Sequence, residues 1–388
     1  MTRTIDLVYF NAGGGHRAAA LALQDVMRDQ QRPWRVRLVD LAQVLDPKQS
    51  FRKFTGIAPE DYYNKRLARG WTLGMGQELK LLQGMIRLGH ASLVRTLQQH
   101  WLATEPDLVV SLVPNFNRAL CESVASTLPG VPFVTVLTDL ADHPPHFWIE
   151  PGQDQHLVCG TAHARSQAYA AGYKPEQVSL TTGMILRPQF HRPIQIDWEA
   201  ERRALGLDPR LPTGVVMFGG QGSMQMLRIA KALGDVQLIL MCGHNEALAN
   251  ELRAMRTPAA HAVLGFKPEV VRYLRLGDFF IGKPGPGSLS EAVHTWLPLI
   301  TFRNAWTLPQ ERFNAEWVRA MGLGLVLGSA RSIRPAVDEM IQRLPEFRER
   351  VRRIDNRAVF EVIEVLDRLL QAAHGPVARP LERPEAVY

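Results

Sequence analysis

The sequence predicts an α/β protein of two similar halves that face one another across a cleft. Three observations carry this. An apolar strand at residues 4–10 runs into Asn11-Ala12-Gly13-Gly14-Gly15-His16-Arg17 and then an Ala- and Leu-rich helical stretch to about Asp29. The same order returns mid-chain, where residues 215–218 lead into Gly219-Gly220-Gln221-Gly222-Ser223. It returns again where Phe279-Phe280-Ile281 is followed by Gly282-Lys283-Pro284-Gly285-Pro286-Gly287. Short apolar runs between glycine turns and helical stretches mark strands buried on both faces of a parallel sheet. At 388 residues the chain is long enough for two domains of ordinary size.

The first half reads as repeated strand-helix units. A second strand falls at residues 35–40 and a helix at 91–102. Residues 107–113 form a strand, and Pro114-Asn115-Phe116-Asn117 turns into a helix ending near Leu128. Residues 133–137 form the next strand, closed by Thr138-Asp139. Strands at 156–159 and 178–182, with a helix at 162–171 between them, complete the half. Residues 51–89 break this rhythm. Gly70, Gly74, Gly76, Gly84 and Gly89 argue there against one long rigid helix.

The second half opens near Asp197 with a helix at 198–205 and then the strand at 215–218. Residues 236–241 form a strand ending in Cys242-Gly243-His244-Asn245, and 262–266 form a short strand ending in Gly265-Phe266. After residues 279–281 come a helix that Ser288 or Ser290 can cap, a strand from 297, and a last strand at 324–327. One amphipathic helical pattern without Gly or Pro runs from 345 to about 373. The tail beyond Gly375 carries Pro376, Pro380 and Pro384 and is expected to be disordered.

Composition narrows the class. Hydrophobic residues make up 46% and charged residues 21%, as in a soluble globular protein. Cys121, Cys159 and Cys242 are far apart in apolar settings, which predicts buried thiols in a reducing compartment and no metal centre. No apolar run reaches the length of a membrane span, and Asp6 interrupts any secretory leader. A cytoplasmic protein is expected.

The net charge of +7 is concentrated. Arg52, Lys53, Lys65, Arg66, Arg69, Lys80, Arg87 and Arg95 face only Glu60, Asp61 and Glu78 in the same window. Tyr62, Tyr63, Trp71, Leu73, Met75, Leu79, Leu82, Met85 and Ile86 are interleaved with them. Basic, aromatic and glycine-rich together describe an element that lies on an anionic membrane surface. A helix packed on the first half with its charges outward is the plainer alternative. No nucleic-acid partner is expected.

Two stretches carry chemistry. The glycine turn at 282–287 stands between a buried strand and a helix start, where free N–H groups and the positive helix end favour an anion or nucleotide. Gln310, Glu311 and Asn314 follow the next strand, and Gln310 and Asn314 share one helical face. Amides and a carboxylate so placed suit a ligand with many hydroxyls. The first glycine turn lacks the G-x-G-x-x-G dinucleotide fingerprint.

GPGSLSEA followed by QERFNA resembles the donor-binding signature of GT-B glycosyltransferases of the MurG and monogalactosyldiacylglycerol (MGDG) synthase group, which includes processive diacylglycerol glycosyltransferases. GGGHRAAA resembles the first motif of MGDG synthases, and VPFVTVLTDLADHPPHFW resembles a later one. GMILRPQF is similar to the family's domain connection. The resemblance implies two Rossmann-like domains facing across a cleft. Residues 1–190 would form the acceptor and membrane-side domain and 191–345 the UDP-sugar domain. Residues 346–373 would cross back as a terminal helix, with 374–388 as a tail.

It also implies roles. Glu291 would hold the donor ribose, and Gln310, Glu311 and Asn314 the sugar hydroxyls. Gly219, Gly220, Gln221, Gly222 and Ser223 would form a diphosphate loop. Gly243 and Asn245 would belong to a Cys-Gly-x-Asn turn, and Gly265 and Phe266 would read the base. Lys283, Gly285, Pro286, Gly287 and Ser288 would complete the donor site. Gly14, Gly15 and His143 would lie on the acceptor side, and Lys65, Arg66, Arg69 and Trp71 at the membrane.

The implied reaction is inverting transfer of a hexose from a UDP-sugar to a lipid, most simply diacylglycerol. It would take place peripherally on the cytoplasmic face of the cell membrane. His16 is the first choice for the base and Asp139 the second, as base or as the group that orients His16. No Asp-x-Asp is present, which fits a reaction without metal or other cofactor. Several departures leave the donor open among galactose, glucose and N-acetylglucosamine. The loop is Lys-Pro-Gly-Pro-Gly rather than Lys-Ala-Gly-Pro-Gly, the diphosphate loop lacks an acidic residue, and Arg312 and Phe313 replace smaller residues. Transfer to an isoprenoid lipid, a UDP-sugar epimerase or hydrolase, and a non-catalytic nucleotide- or lipid-binding protein are the competing readings.

Overall fold

The computed structural model describes residues 2–11, 14–46 and 75–374. The first sheet begins with β1 (Arg3–Tyr9), α1 (Gly15–Asp29), β2 (Trp34–Asp40) and α2 (Leu41–Leu45). It continues with α3 (Met75–Leu88), α4 (His90–Thr104), β3 (Leu108–Ser111), α5 (Asn117–Thr127) and β4 (Phe133–Val136). β5 (His156–Cys159), α6 (Ala162–Ala170) and β6 (Val178–Leu180) close it. All six strands are parallel, in the order β2-β1-β3-β4-β5-β6.

The second sheet is built from α7 (Trp198–Ala204), β7 (Thr213–Met217), α8 (Gln225–Ala232), β8 (Gln237–Met241), α9 (Glu246–Ala254) and β9 (His261–Leu264). α10 (Val270–Leu274), β10 (Phe279–Gly282), α11 (Pro286–His294), β11 (Leu299–Phe302), α12 (Arg312–Ala320) and β12 (Gly324–Leu327) follow. α13 (Ile333–Gln342), α14 (Leu344–Arg352) and α15 (Ala358–His374) end the described chain. These strands are also all parallel, in the order β12-β11-β10-β7-β8-β9.

Each sheet is buried on both faces. β3, β4, β7, β8, β10 and β11 are wholly buried, which is why they read as continuous apolar runs. Glycine is required where strands and turns crowd. A Cβ on Gly282 would stand 2.4 Å from the Met217 carbonyl oxygen. One on Gly243 would stand 2.1 Å from that of Gly220, so these two turns touch backbone to backbone.

Three expectations are corrected. The single terminal helix from 345 to 373 is two helices. Asn356 breaks it: its amide donates to the Met184 carbonyl at 3.0 Å, and its Oδ1 caps α15 by accepting from Ala358 N at 3.0 Å. α14 packs in the second half through Phe347 and Val351, while Val359, Val362, Ile363 and Leu366 of α15 join Ile5, Leu7 and Leu23 in the core of the first. Residues 75–88, expected to be irregular, form a helix. Its Leu, Met, Gln, Glu and Lys outweigh the roughly 1 kcal/mol that an interior glycine costs. Neither Ser288 nor Ser290 caps α11. Gly285 is its N-cap and Pro286 its first residue, with no side-chain cap.

Candidate active site

The C-terminal strand ends of the two sheets face each other. On the first-half side, β1 leads to His16 at the start of α1, and β4 leads to Thr138 and Asp139. His16 Nδ1 lies 3.1 Å from Thr138 Oγ1. The His16 ring packs against Trp148, centroids 5.9 Å apart, and the Trp148 indole N–H donates to Asp139 Oδ2 at 2.9 Å. Asp142 holds the loop in shape by accepting from Trp148 N at 2.6 Å and His146 N at 3.0 Å. Trp148 therefore links the two groups expected to move the proton.

Burial sets their charge states. It lowers the His16 pKa to about 4, with the Leu112 carbonyl pulling it partly back, so the imidazole is neutral at neutral pH. Burial raises the Asp139 pKa to about 7; the Trp148 hydrogen bond opposes this, Glu311 adds to it and Lys283 opposes it. Those last two residues belong to the second half. Asp139 therefore faces them across the cleft.

On the second-half side, α11 starts at the 282–287 turn, and its first N–H groups, at Gly287 and Ser288, have no intrahelical partner. A Cβ on Gly287 would meet nothing within 4 Å, so the helix end is open to a ligand. Lys283 Nζ donates to Glu311 Oε1 at 2.8 Å. Asn314 is fully buried; its amide donates to the Pro284 carbonyl at 2.8 Å, while its Oδ1 has no partner. Gln310 stands in a short 3-10 turn, Pro309–Glu311, one turn before Asn314. A positive helix end for an anion thus stands beside a carboxylate and two amides for hydroxyls.

Glu291, one turn further along α11, is paired with Arg187 at 3.5 Å. Burial raises its pKa and Arg187 opposes the rise. If Glu291 holds the donor ribose, as the resemblance implies, Glu291→Ala is expected to weaken UDP binding by on the order of ten- to a hundredfold through the loss of a charge-assisted hydrogen bond. Unchanged affinity by calorimetry removes Glu291 from a ribose role.

The remaining expected residues divide. Gly219, Gly220, Gln221, Gly222 and Ser223 form the turn between β7 and α8 and touch the Gly243 turn; His244 N donates to the Gly220 carbonyl at 2.9 Å. Asn245 is engaged at both ends, capping α9 through Leu248 N at 3.0 Å and donating to the Gln221 carbonyl at 3.3 Å. It braces the two turns. Phe266, after Gly265, is exposed and stacks on His244 with centroids 4.1 Å apart, a flat platform beside the glycine turns. Gly14 and Gly15 open α1. His143 reaches the second half, where Arg312 and Glu316 act on its charge; burial lowers its pKa. Lys65, Arg66, Arg69 and Trp71 lie outside the described residues.

Sequence reasoning missed Thr138, Trp148, Arg187 and His163. Arg187 and Trp148 both stood inside stretches singled out for their resemblance. Glu291, the partner of Arg187, is distant in sequence, and the Trp148–Asp139 contact lies within one irregular loop where no periodicity signals it.

One further surface belongs to the site's surroundings. α3 exposes Leu81, Met85 and Leu88, at 66%, 55% and 91% of their full area. They stand at i, i+4 and i+7 and so share a face, with Lys80 and Arg87 also exposed. No helix among the described residues is long and apolar enough to cross a membrane.

Two all-parallel, six-stranded sheets whose strand ends enclose one cleft define the GT-B glycosyltransferase fold. Solved structures agree. The chain superposes on MurG from Acinetobacter baumannii with a TM-score of 0.59 at 13% identity, covering 95% of this chain and 100% of that one. It superposes on the calicheamicin glycosyltransferase CalG4 with a TM-score of 0.64 at 17% identity, covering 96% and 100%. In sequence it is similar to MGDG synthases. It is 27% identical over 358 residues to probable MGDG synthase 2 of Oryza sativa subsp. japonica, covering 83% of this chain and 70% of that protein. It is 26% identical over 390 residues to the spinach enzyme (Spinacia oleracea), covering 93% and 71%. It is 24% identical over 417 residues to MGDG synthase 2 of Arabidopsis thaliana, covering 97% and 83%. No family model matches the chain.

Proposed function

We propose that this chain is an inverting hexosyltransferase that moves a sugar from a UDP-sugar to diacylglycerol at a membrane surface. The observation that carries the reading is Asp139 with its His16–Trp148 neighbourhood facing Lys283, Glu311 and Asn314 across the cleft. The relatives' names supply the acceptor and make UDP-galactose the first donor to test.

The step balances simply. The acceptor hydroxyl oxygen attacks C1 of the sugar, the C1–oxygen bond to the diphosphate breaks, and UDP leaves. His16, neutral at working pH, takes the hydroxyl proton, and the ionised Asp139 stabilises the imidazolium that forms. The N-terminus of α11 and the glycine turns take up the charge of the leaving diphosphate, so the reaction needs no metal. Glu311, held by Lys283, and Asn314, through its unpartnered Oδ1, accept hydroxyls of the sugar. Labelled UDP-galactose, UDP-glucose and UDP-N-acetylglucosamine supplied with diacylglycerol vesicles test the reading. It expects lipid-extractable label from at least one donor, and label only in free sugar would make the chain a hydrolase.

Diacylglycerol stays in the bilayer, so the first half must come to it. The exposed apolar face of α3, flanked by Lys80 and Arg87, supports a peripheral docking element, which we assign, as part of the same proposal, to the cytoplasmic face of the membrane. Each cation near an anionic surface contributes about 1 kcal/mol, screened by salt, while the apolar face adds attachment that salt leaves intact. Binding to anionic vesicles is therefore expected to fall in high salt yet persist in part. Lys65→Gln, Arg66→Gln and Arg69→Gln together are expected to reduce flotation with vesicles and leave UDP affinity intact. Equal flotation of wild type and triple variant at low salt takes Lys65, Arg66 and Arg69 out of the docking element.

A further inference from the structure

A ring stack joins the two halves directly. His163, in the first turn of α6, lies flat on Phe313 of α12, with centroids 4.3 Å apart and 14° between the planes. Each ring is tied to one wall of the cleft. Thr161 caps α6 by accepting from Ala164 N at 3.1 Å, and its hydroxyl donates to the Leu140 carbonyl at 2.6 Å. The start of α6 is thereby fixed to the segment that carries Asp139. Phe313 stands immediately before Asn314, whose amide is fixed to Pro284 in the donor turn. On the neighbouring face of α12, Arg312 and Glu316 act on His143. The stack therefore connects the Asp139 segment to the Lys283–Glu311–Asn314 cluster without touching either cluster's reacting groups.

We propose that His163 and Phe313 are positioning residues for the transfer step: their stack sets the distance between the proton-accepting wall and the donor-sugar wall. The proposal rests on the reading above for its effect on turnover, but not for its effect on the cleft. The physical need is clear. Attack requires reacting atoms about 3–3.5 Å apart, and a misplacement of about 1 Å can cost on the order of a hundredfold in rate. A stacked aromatic pair shifts a closing equilibrium by roughly two- to tenfold. UDP itself would be held by the second half alone and is indifferent to the stack.

The test compares wild type, His163→Ala, Phe313→Ala, the double variant and His163→Phe. His163 is exposed and Phe313 partly so, which leaves the core of each half intact. Each alanine variant is expected to lower kcat by roughly tenfold, with UDP affinity by calorimetry within about twofold of wild type. The double variant is expected to be no worse than the poorer single one, because one contact is lost only once. His163→Phe, which keeps a flat ring, is expected to recover most of the rate. Small-angle scattering reads the same contact without turnover, and the alanine variants are expected to be more open than wild type and His163→Phe. Multiplying losses in the double variant, a failed rescue, or scattering unchanged by the alanines overturns the proposal. A wild type that transfers no sugar but whose alanine variants open as described overturns the functional reading and leaves the positioning contact standing.

Discussion

Asp139→Asn is expected to lower kcat by roughly a hundred- to ten-thousandfold, because the imidazolium that forms on His16 loses the carboxylate that stabilises it. The substitution keeps the shape and the acceptor oxygen for the Trp148 indole N–H but removes the negative charge. In the wild type, burial holds the carboxyl protonated up to a pH of about 7. If the carboxylate is the working form, kcat/KM rises with pH through that value and then levels. The asparagine variant lacks this limb. Stability runs the other way. An acid whose folded pKa lies above its unfolded one binds more protons when folded, so stability falls as pH rises towards the folded value. The asparagine variant is therefore expected to gain in Tm relative to wild type between pH 4 and about 7, where the ordinary carboxylate value of 3.8 gives way to the raised one. A loss of rate without that gain would mean that the variant damages the loop rather than removing a buried charge.

His16→Ala is expected to lower kcat by roughly a hundredfold or more, with UDP affinity nearly unchanged. The imidazole stands on the first half, whereas the groups assigned to UDP belong to the second. Its pKa of about 4 keeps it unprotonated across neutral pH but makes it a weak base there, so it takes the proton only with the ionised Asp139 stabilising the imidazolium. The descending limb at acid pH therefore belongs to Asp139. Turnover surviving within about threefold of wild type would restrict His16 to packing against Trp148 and bonding Thr138.

The central strands were legible because they are short and largely apolar, and several run straight into glycine turns. Phe279-Phe280-Ile281 and the turn after it are the clearest instance. Local pattern served less well where a tertiary contact decides. Asn356 looks unexceptional in a helical run, yet its bonds to Met184 and Ala358 end one helix and start another. Gly84 reads as a helix breaker, and the good helix formers around it prevail. Asn245 reads as a ligand contact by its motif, while its amide is spent on a cap and a neighbouring turn.

The site itself was legible as two separate lists, one per half. What no periodicity could show is how the lists meet: Arg187 on Glu291, Lys283 on Glu311, Trp148 between His16 and Asp139, and His163 on Phe313. Apart from Trp148 and Asp139, which share one loop, these are contacts between residues separated by at least a strand. They carry the electrostatics from which the chemistry is argued.

The configuration of the product's glycosidic bond tests the central claim most directly. In the proposed reaction the acceptor hydroxyl attacks C1 directly, with His16 and Asp139 on the acceptor side, and a single displacement of that kind inverts the anomeric centre. Proton NMR of the lipid formed from an α-linked UDP-hexose and diacylglycerol should show one β-linked sugar on the free hydroxyl. An α-linked glycolipid, or sugar released to water with no glycolipid formed, would contradict it.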